Sequence, residues 1–181
     1  SMTTLSERIL QENINPGTFD CGIQSINSLI ENSYYVSLLQ HGYAYKVTSD
    51  SRLLGFYMIM FKNIELDECP AELADYYEET LSKTIPAVLI KYIAVEKHIQ
   101  KKKIGSLILD IIVQKVRKYS EQLPIRIIYL DARADLVGWY KSKGFVEMPH
   151  NRQEQEGITV PMYLDCISEE NRRRLDEFIA E

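Results

Sequence analysis

Residues 98–109 read HIQKKKIGSLIL, with three lysines between a predicted buried strand and a predicted buried helix. The preceding run PAVLIKYIAV (86–95) is nearly continuous in apolar residues and reads as a central strand covered on both faces. The strand ends at Val95 and the helix starts near Ile104. The first-turn N–H groups of a helix have no partners within it, and its dipole is positive at that end. Such a junction can bind an anion. Gly105 has no side chain to hold a ligand away from the backbone, and Lys101, Lys102 and Lys103 raise the local potential. The chemistry on offer is phosphate binding, against two plainer readings: a solvated lysine turn and a nucleic-acid patch.

The formal net charge is −5 and the pI about 5.3. Proteins that grip nucleic acid are usually basic, because neutralising phosphates supplies most of the affinity. The balance counts against that class without removing a local basic face. Cys21, Cys69 and Cys166 are too few and too widely spaced for a disulfide framework or a zinc site. They predict inert thiols in a reducing cytosol, and no metal. The opening SMTTLSERIL lacks a basic stretch followed by an apolar run, so no secretory signal is expected there. The apolar runs are too short to span a membrane.

The elements that must position the junction follow from periodicity. SERILQEN predicts a first strand, and IQSINSLIENSYYVSLLQ one amphipathic helix. YAYKVTSD and RLLGFYMIMFKNIEL read as strands of a hairpin turning at SDSR. PAELADYYEETLSK predicts an acidic helical insertion within about 65–85. Ile104, Leu107, Ile108, Ile111, Ile112 and Val116 form one apolar stripe, with Lys115, Arg117 and Lys118 near the helix end. A second buried strand is expected at 125–130, then a short helix DLVGWYKSK stopped by Gly144, with Trp139 in the core. A closing strand GITVPMYLDC and a C-terminal helix at 168–180, opened by Ser168, complete one α/β domain over 1–181. The terminal Arg172, Arg173 and Arg174 read as a solvated face, and His98 as a surface residue rather than a base.

YIAVEKHIQKKKIGSLIL resembles motif A of the GNAT acyl-CoA N-acyltransferases, a strand ending in apolar–Ala–Val followed by Gln/Arg-x-x-Gly-x-Gly/Ala. Gln100 and Gly105 match its first and last positions, and Lys103 replaces its middle glycine. LVGWYKSKGF resembles motif B, with Trp139, Tyr140, Gly144 and Phe145 in register. The resemblance implies the GNAT fold: an α/β (α+β) chain with a mixed, twisted sheet in which parallel strands 86–95 and 125–130 splay apart. It implies acetyl-CoA as co-substrate, its pantetheine arm on the backbone of Ile93, Ala94 and Val95. The pyrophosphate would rest on the Gln100–Ser106 turn, which contains Lys101, Lys102, Lys103, Ile104 and Gly105. Tyr140 is the implied acid for the leaving thiolate, and a backbone N–H near Val95 the implied oxyanion donor. Glu96 is the nearest carboxylate to the strand end, but a water chain could equally take the amine's proton.

The implied activity is N-acetyl transfer to a primary amine by direct attack in a ternary complex. The segment GTFDCGIQSINSLIENSYYVS, the stretch from IPAVLIKYIAV to KKKIG and the closing VPMYLDC are similar to GNAT toxins of toxin–antitoxin pairs. Those toxins acetylate the α-amine of aminoacyl-tRNA, which would make tRNA and an antitoxin protein partners. Tyr92 stands where that subgroup commonly has arginine, and ELDECPAELADYYEE adds an acidic lobe suited to a cationic small acceptor. A third reading is an acyl-CoA-binding protein without turnover, which a retained Tyr140 disfavours. Dimers are common in the family.

Overall fold

The computed structural model describes residues 4–100, 102–149 and 159–181, with Lys102 described by its backbone alone. Lys101 lies outside the described residues. The strands are Ser6–Ile9 (β1), Tyr43–Ser49 (β2), Arg52–Glu65 (β3), Thr84–Val95 (β4), Ile127–Arg133 (β5), Val146–Glu147 (β6) and Thr159–Asp165 (β7). They form one sheet in the order β1-β2-β3-β4-β5-β7-β6, which puts β4 in the middle as the apolar run predicts. The pairings β1/β2, β2/β3, β5/β7 and β6/β7 are antiparallel. The helices are Gln24–Glu31 (α1), Ser33–Leu38 (α2), Ala71–Ala74 (α3), Lys102–Tyr119 (α4), Val137–Ser142 (α5) and Glu169–Ala180 (α6). Two compact units are distinguished, Ser1–Phe61 with Leu89–Lys115, and Lys62–Val88 with Val116–Glu181.

In the first unit the hairpin turns at Asp50 and Ser51, whose φ values of 49° and 65° are left-handed, as a tight two-residue loop requires. Its core gathers Phe19, Ile30, Ala44, Phe56, Met58, Tyr92 and Ala94. Phe19 meets Phe56 edge-on at 5.0 Å. The single helix expected over IQSINSLIENSYYVSLLQ is two, α1 and α2, broken at Asn32. The Ser33 hydroxyl donates to the Leu29 carbonyl across the break, a contact that competes with helix hydrogen bonding. The same hydroxyl pairs with the Tyr92 hydroxyl, so the two buried polar groups satisfy each other. The Lys115 side chain is only 14% exposed, not a solvent-facing cation. It pairs with Glu7, donates to the Tyr57 hydroxyl at 2.7 Å and stands 3.6 Å over the Tyr45 ring.

The second unit differs from expectation at the acidic insertion. Instead of one helix it holds a 3-10 turn at Leu66–Glu68, the single turn of α3 and a 3-10 stretch at Asp75–Thr80. Only Leu73 of these residues is fully buried, so no apolar stripe anchors a continuous helix, and the clustered carboxylates oppose one. The strand expected at 125–130 runs Ile127–Arg133, because Ile125 and Arg126 are used differently. Arg126 donates its backbone N–H to Pro86 O at 2.9 Å and its guanidinium to both oxygens of Asp165, at 2.9 and 3.0 Å. Arg172 adds a 2.9 Å bond to Asp165, so this arginine tethers α6 to the end of β7. Arg173 and Arg174 keep to the expected solvated face, in exposed intrahelical pairs, whereas Arg172 does not; Ser168 caps α6 by accepting from Asn171 N.

Burial tends to raise the Asp165 carboxyl, but the hydrogen bonds from Arg126 and the Ile167 N–H, with the charges of Arg126 and Arg172, hold it below the ordinary value. Its stabilising contribution is therefore complete above the ordinary carboxylate pKa and is lost as the pH falls through the lowered one. Asp165→Ala strands a mostly buried guanidinium. The expected loss is about 2–3 kcal/mol, between the values for exposed and fully buried pairs. Urea unfolding should show a lower midpoint with unchanged slope, and the gap from the native protein should shrink in acid.

Candidate active site

The end of β4 is held from two directions within the first unit. On one side, β3 carries a bulge: Val47 pairs with Gly55 but Thr48 pairs with Leu53, leaving Leu54 extra. The Leu54 carbonyl accepts the Glu96 N–H at 2.9 Å. A methyl group at Gly55 would stand 2.1 Å from the Ala94 carbonyl oxygen and 3.3 Å from Val95 Cα, so only glycine permits this approach. The Ala94 carbonyl and the Glu96 N–H thus face β3. Because successive peptides of an extended strand alternate, the Val95 N–H faces away from it.

On the other side, the Asp20–Gly22 segment clips the turn after β4. Lys97 donates its backbone N–H to Asp20 O at 2.8 Å, and its ammonium reaches the Asp20 carboxylate at 2.8 Å. That carboxylate also accepts from Gly22 N at 2.7 Å and Asn27 Nδ2 at 2.9 Å, while Asn27 Oδ1 accepts from Cys21 N at 3.0 Å. The hydrogen bonds from Lys97, Asn27 and Gly22 hold the Asp20 carboxyl well below the usual carboxylate range. Asp20 raises Lys97 in turn. Gly22 has φ +86°, a conformation glycine adopts without strain.

Gln100 closes the turn. Its amide nitrogen donates to Cys21 O at 2.6 Å and to Val95 O at 3.1 Å, so it braces the junction through its side chain. The Glu96 carboxylate accepts the His98 N–H at 2.6 Å and caps the 3-10 turn Lys97–Ile99. His98 is exposed, as expected. Helix α4 then begins at Lys102, two residues before the predicted start, which places Lys103, Ile104 and Gly105 in its opening turn. Lys103 is exposed, so its side chain does not fill the turn; Ile104, Gly105 and Ser106 are half-buried. The backbone of Ile93–Val95, Gln100 and the first turn of α4 are thereby brought to one end of one unit.

Tyr140 belongs to the second unit, on α5. The helix ends as the GWYKSKGF spacing predicts: Phe145 N donates to Tyr140 O at 3.1 Å, Gly144 N to Lys141 O at 3.0 Å, and Gly144 has φ +96°. These two bonds and the accompanying apolar contact define a Schellman stop. The Tyr140 ring meets Phe145 at 5.6 Å and Trp139 at 4.9 Å, edge to face in both cases. Trp139 is half-buried rather than a core residue, with Lys143 Nζ 6.0 Å from its ring centroid. Burial pushes the Tyr140 hydroxyl up to about 12, against a smaller opposing pull from Arg133. At neutral pH the hydroxyl is therefore protonated, and among the described residues no hydrogen bond to it is seen.

Cys21, Cys69 and Cys166 are all buried. Burial pushes Cys69 and Cys166 up to about 11, in line with inert thiols. Among the described residues no cluster could hold a metal ion, and no helix is long and apolar enough to cross a membrane. Sequence reasoning missed Gly55, Asp20, Asn27 and Lys97. The lone glycine in RLLGFYMIMF was the available signal for a bulge or close strand contact.

The model of the GNAT acetyltransferase domain matches residues 81–166. No curated protein sequence matches the chain. Among solved structures, AtaT complexed with acetyl-methionyl-tRNAfMet superposes with a TM-score of 0.74 at 19% identity, covering 90% of this chain and 95% of that one. A bacterial toxin gives 0.72 at 21% identity, over 91% and 92% of the two chains. AtaTR bound with acetyl-CoA gives 0.72 at 18% identity, over 90% and 94%. At these identities the likeness establishes a shared fold.

Two outcomes check the geometry. Gly55→Ala must displace backbone rather than a flexible side chain, so it should destabilise the protein by about 1–3 kcal/mol. Amide NMR shifts should change most at Ala94, Val95 and Glu96. In an ultraviolet pH titration, the difference between native protein and Tyr140→Phe should show one phenol ionising near 12.

Proposed function

We propose, from the match of residues 81–166 to the GNAT acetyltransferase domain, that this protein is an acetyl-CoA-dependent N-acetyltransferase acting on a primary amine by direct attack. The observation that carries this reading is the braced end of β4. Its Val95 N–H faces away from β3, and it leads through the Gln100 turn into the first turn of α4. Ile93, Ala94 and Val95 would hold the pantetheine arm by their backbone. The amides of Lys101, Lys102, Lys103, Gly105 and Ser106 would hold the pyrophosphate. Gln100 is then a positioning residue, since its amide bonds Val95 O and Cys21 O. Acetyl-CoA supplies the acyl group and a thiolate as leaving group.

The chain's own part is orientation, charge stabilisation and a proton. The Val95 N–H would polarise the acyl oxygen, and Tyr140 would donate its proton at sulfur. A phenol near 12 is a weak donor to an ordinary thiolate with a pKa of about 8.5. Burial of the leaving thiolate would narrow that gap, because desolvation raises a thiol's pKa. Glu96 already caps a turn through its carboxylate, which favours a water chain as the acceptor's base.

A second reading has specific support. The likeness to AtaT complexed with acetyl-methionyl-tRNAfMet covers 90% of this chain. The GTFDCG segment that resembles the toxins is also the segment clipped to the cofactor turn. On this reading the acceptor is the α-amine of an aminoacyl-tRNA, and an antitoxin is a partner.

Acetyl-CoA at about 100 times its dissociation constant should add roughly 2.7 kcal/mol of stability; no thermal shift at saturation sinks the cofactor assignment. Tyr140→Phe should lower turnover about 10²-fold or more while sparing acetyl-CoA binding. An acetyl-transfer assay across charged tRNA, polyamines and N-terminal peptides decides the acceptor. Transfer to charged tRNA alone selects the second reading, and transfer to none of the three overturns the proposed enzyme.

A further inference from the structure

The first unit contains a cleft of about 370 Å3, lined by Ser6, Glu7, Arg8, Lys46, Thr48 and Ser51. It lies on β1, the edge strand, and β2, and plays no part in the chemistry proposed above. Its composition is unusual for an antiparallel pair. Arg8 stands directly opposite Lys46, and Ser6 opposite Thr48. Like charges in directly opposed positions repel and weaken the sheet. Neither cation forms an ion pair among the described residues. The one carboxylate on the lining, Glu7, is already matched by Lys115 and the Tyr57 hydroxyl, so it does not neutralise the pair. The cleft therefore holds two unmatched positive charges and the hydroxyl-bearing Ser6, Thr48 and Ser51, in a chain whose net charge is −5.

We propose that this cleft binds the phosphate group of a small phosphorylated molecule. A bound anion converts the repulsion between Arg8 and Lys46 into shared attraction. Two cations with three hydroxyls suit a tetrahedral oxyanion, whose several acceptor oxygens need more donors than a carboxylate can use. The volume sits at the lower end of the range for ligand pockets, enough for a phosphate with a nucleoside-sized group attached. Two cations supply little of the phosphate neutralisation on which nucleic-acid affinity depends, which favours a small ligand over a strand.

The test is calorimetric titration with inorganic phosphate, adenosine monophosphate and a short single-stranded RNA at constant ionic strength. Each titration is run with and without acetyl-CoA, so that nucleotide taken up at the cofactor site proposed above is told apart from nucleotide held in this cleft. Native protein should bind phosphate and the monophosphate. Arg8→Gln or Lys46→Gln should each weaken binding about tenfold, as for loss of one charge-assisted hydrogen bond, and the double variant should abolish it. In phosphate-free buffer the variants should melt no lower than the native protein, because each removes a repulsive charge. Equal binding by native protein and double variant, or no binding of either small ligand by native protein, overturns the proposal. Binding of RNA alone, lost in the double variant, overturns the small-molecule assignment and gives the phosphate to a nucleic acid.

Discussion

The constraint on which the site depends is the contact of Gly55 with the Ala94 carbonyl, together with the Leu54–Glu96 hydrogen bond beside it. A strand end in a sheet normally frays, since its last peptides lack neighbours on one side. Here the bulge at Leu54 turns two residues of β3 onto the last peptides of β4. The alternation of peptides then decides which groups face β3 and which face away from it. With Ala94 O and Glu96 N turned to β3, the Val95 N–H points to the opposite side. A side chain at position 55 would undo that arrangement from outside the motif.

The second clamp explains why the junction can be short of glycine. Motif A usually offers several glycines so that the backbone can approach a pyrophosphate. This chain retains Gly105 and has Lys103 at the middle position. The turn is shaped instead by tertiary hydrogen bonds from Asp20, Cys21 and Gln100. The Asp20–Lys97 ion pair is exposed on both sides and would be worth little alone. It gains directional value from the Gly22 and Asn27 bonds that fix the same carboxylate. Conformational restraint has moved from residue type to cross-chain hydrogen bonding.

What could be read from the sequence was what is encoded locally. The Schellman stop at Gly144, the apolar stripe of α4, the hairpin at Asp50–Ser51 and the Ser168 cap are each set by residues within a turn or two of one another. The place of Tyr140 in the last turn of α5 was legible for the same reason, by its spacing from Gly144 and Phe145. The misreadings have the opposite character. Gly55 acts on Ala94 and Gln100 on Cys21, partners separated by dozens of residues, and no periodicity reports such contacts. The periodicity predicts one helix over 23–40 where there are two, because Ser33 bonds to Leu29 and to the distant Tyr92. The insertion within about 65–85 has a helix's composition but not its burial, so it forms short turns instead.

The same distinction bears on the acceptor, because a cation's availability is a tertiary property. The sequence offers Lys101–Lys103, Lys115, Arg117 and Lys118 to a tRNA. Lys115 is withdrawn by Glu7 and the stacked Tyr45 and Tyr57, and would have to break that cluster to reach a phosphate. Lys103, Arg117 and Lys118 stay exposed, without an ion pair among the described residues. Affinity for nucleic acid comes from counterions released by free cations, so an interior lysine contributes nothing to it. On the proposed function the backbone amides of the lysine run would cradle the co-substrate's phosphates, which leaves the exposed side chains of Lys103, Arg117 and Lys118 available to a larger acceptor. A small cationic acceptor gains nothing from those side chains and would depend on carboxylates such as those of the 66–80 insertion. Which face the acceptor needs, basic or acidic, is thus the physical question that separates the two readings.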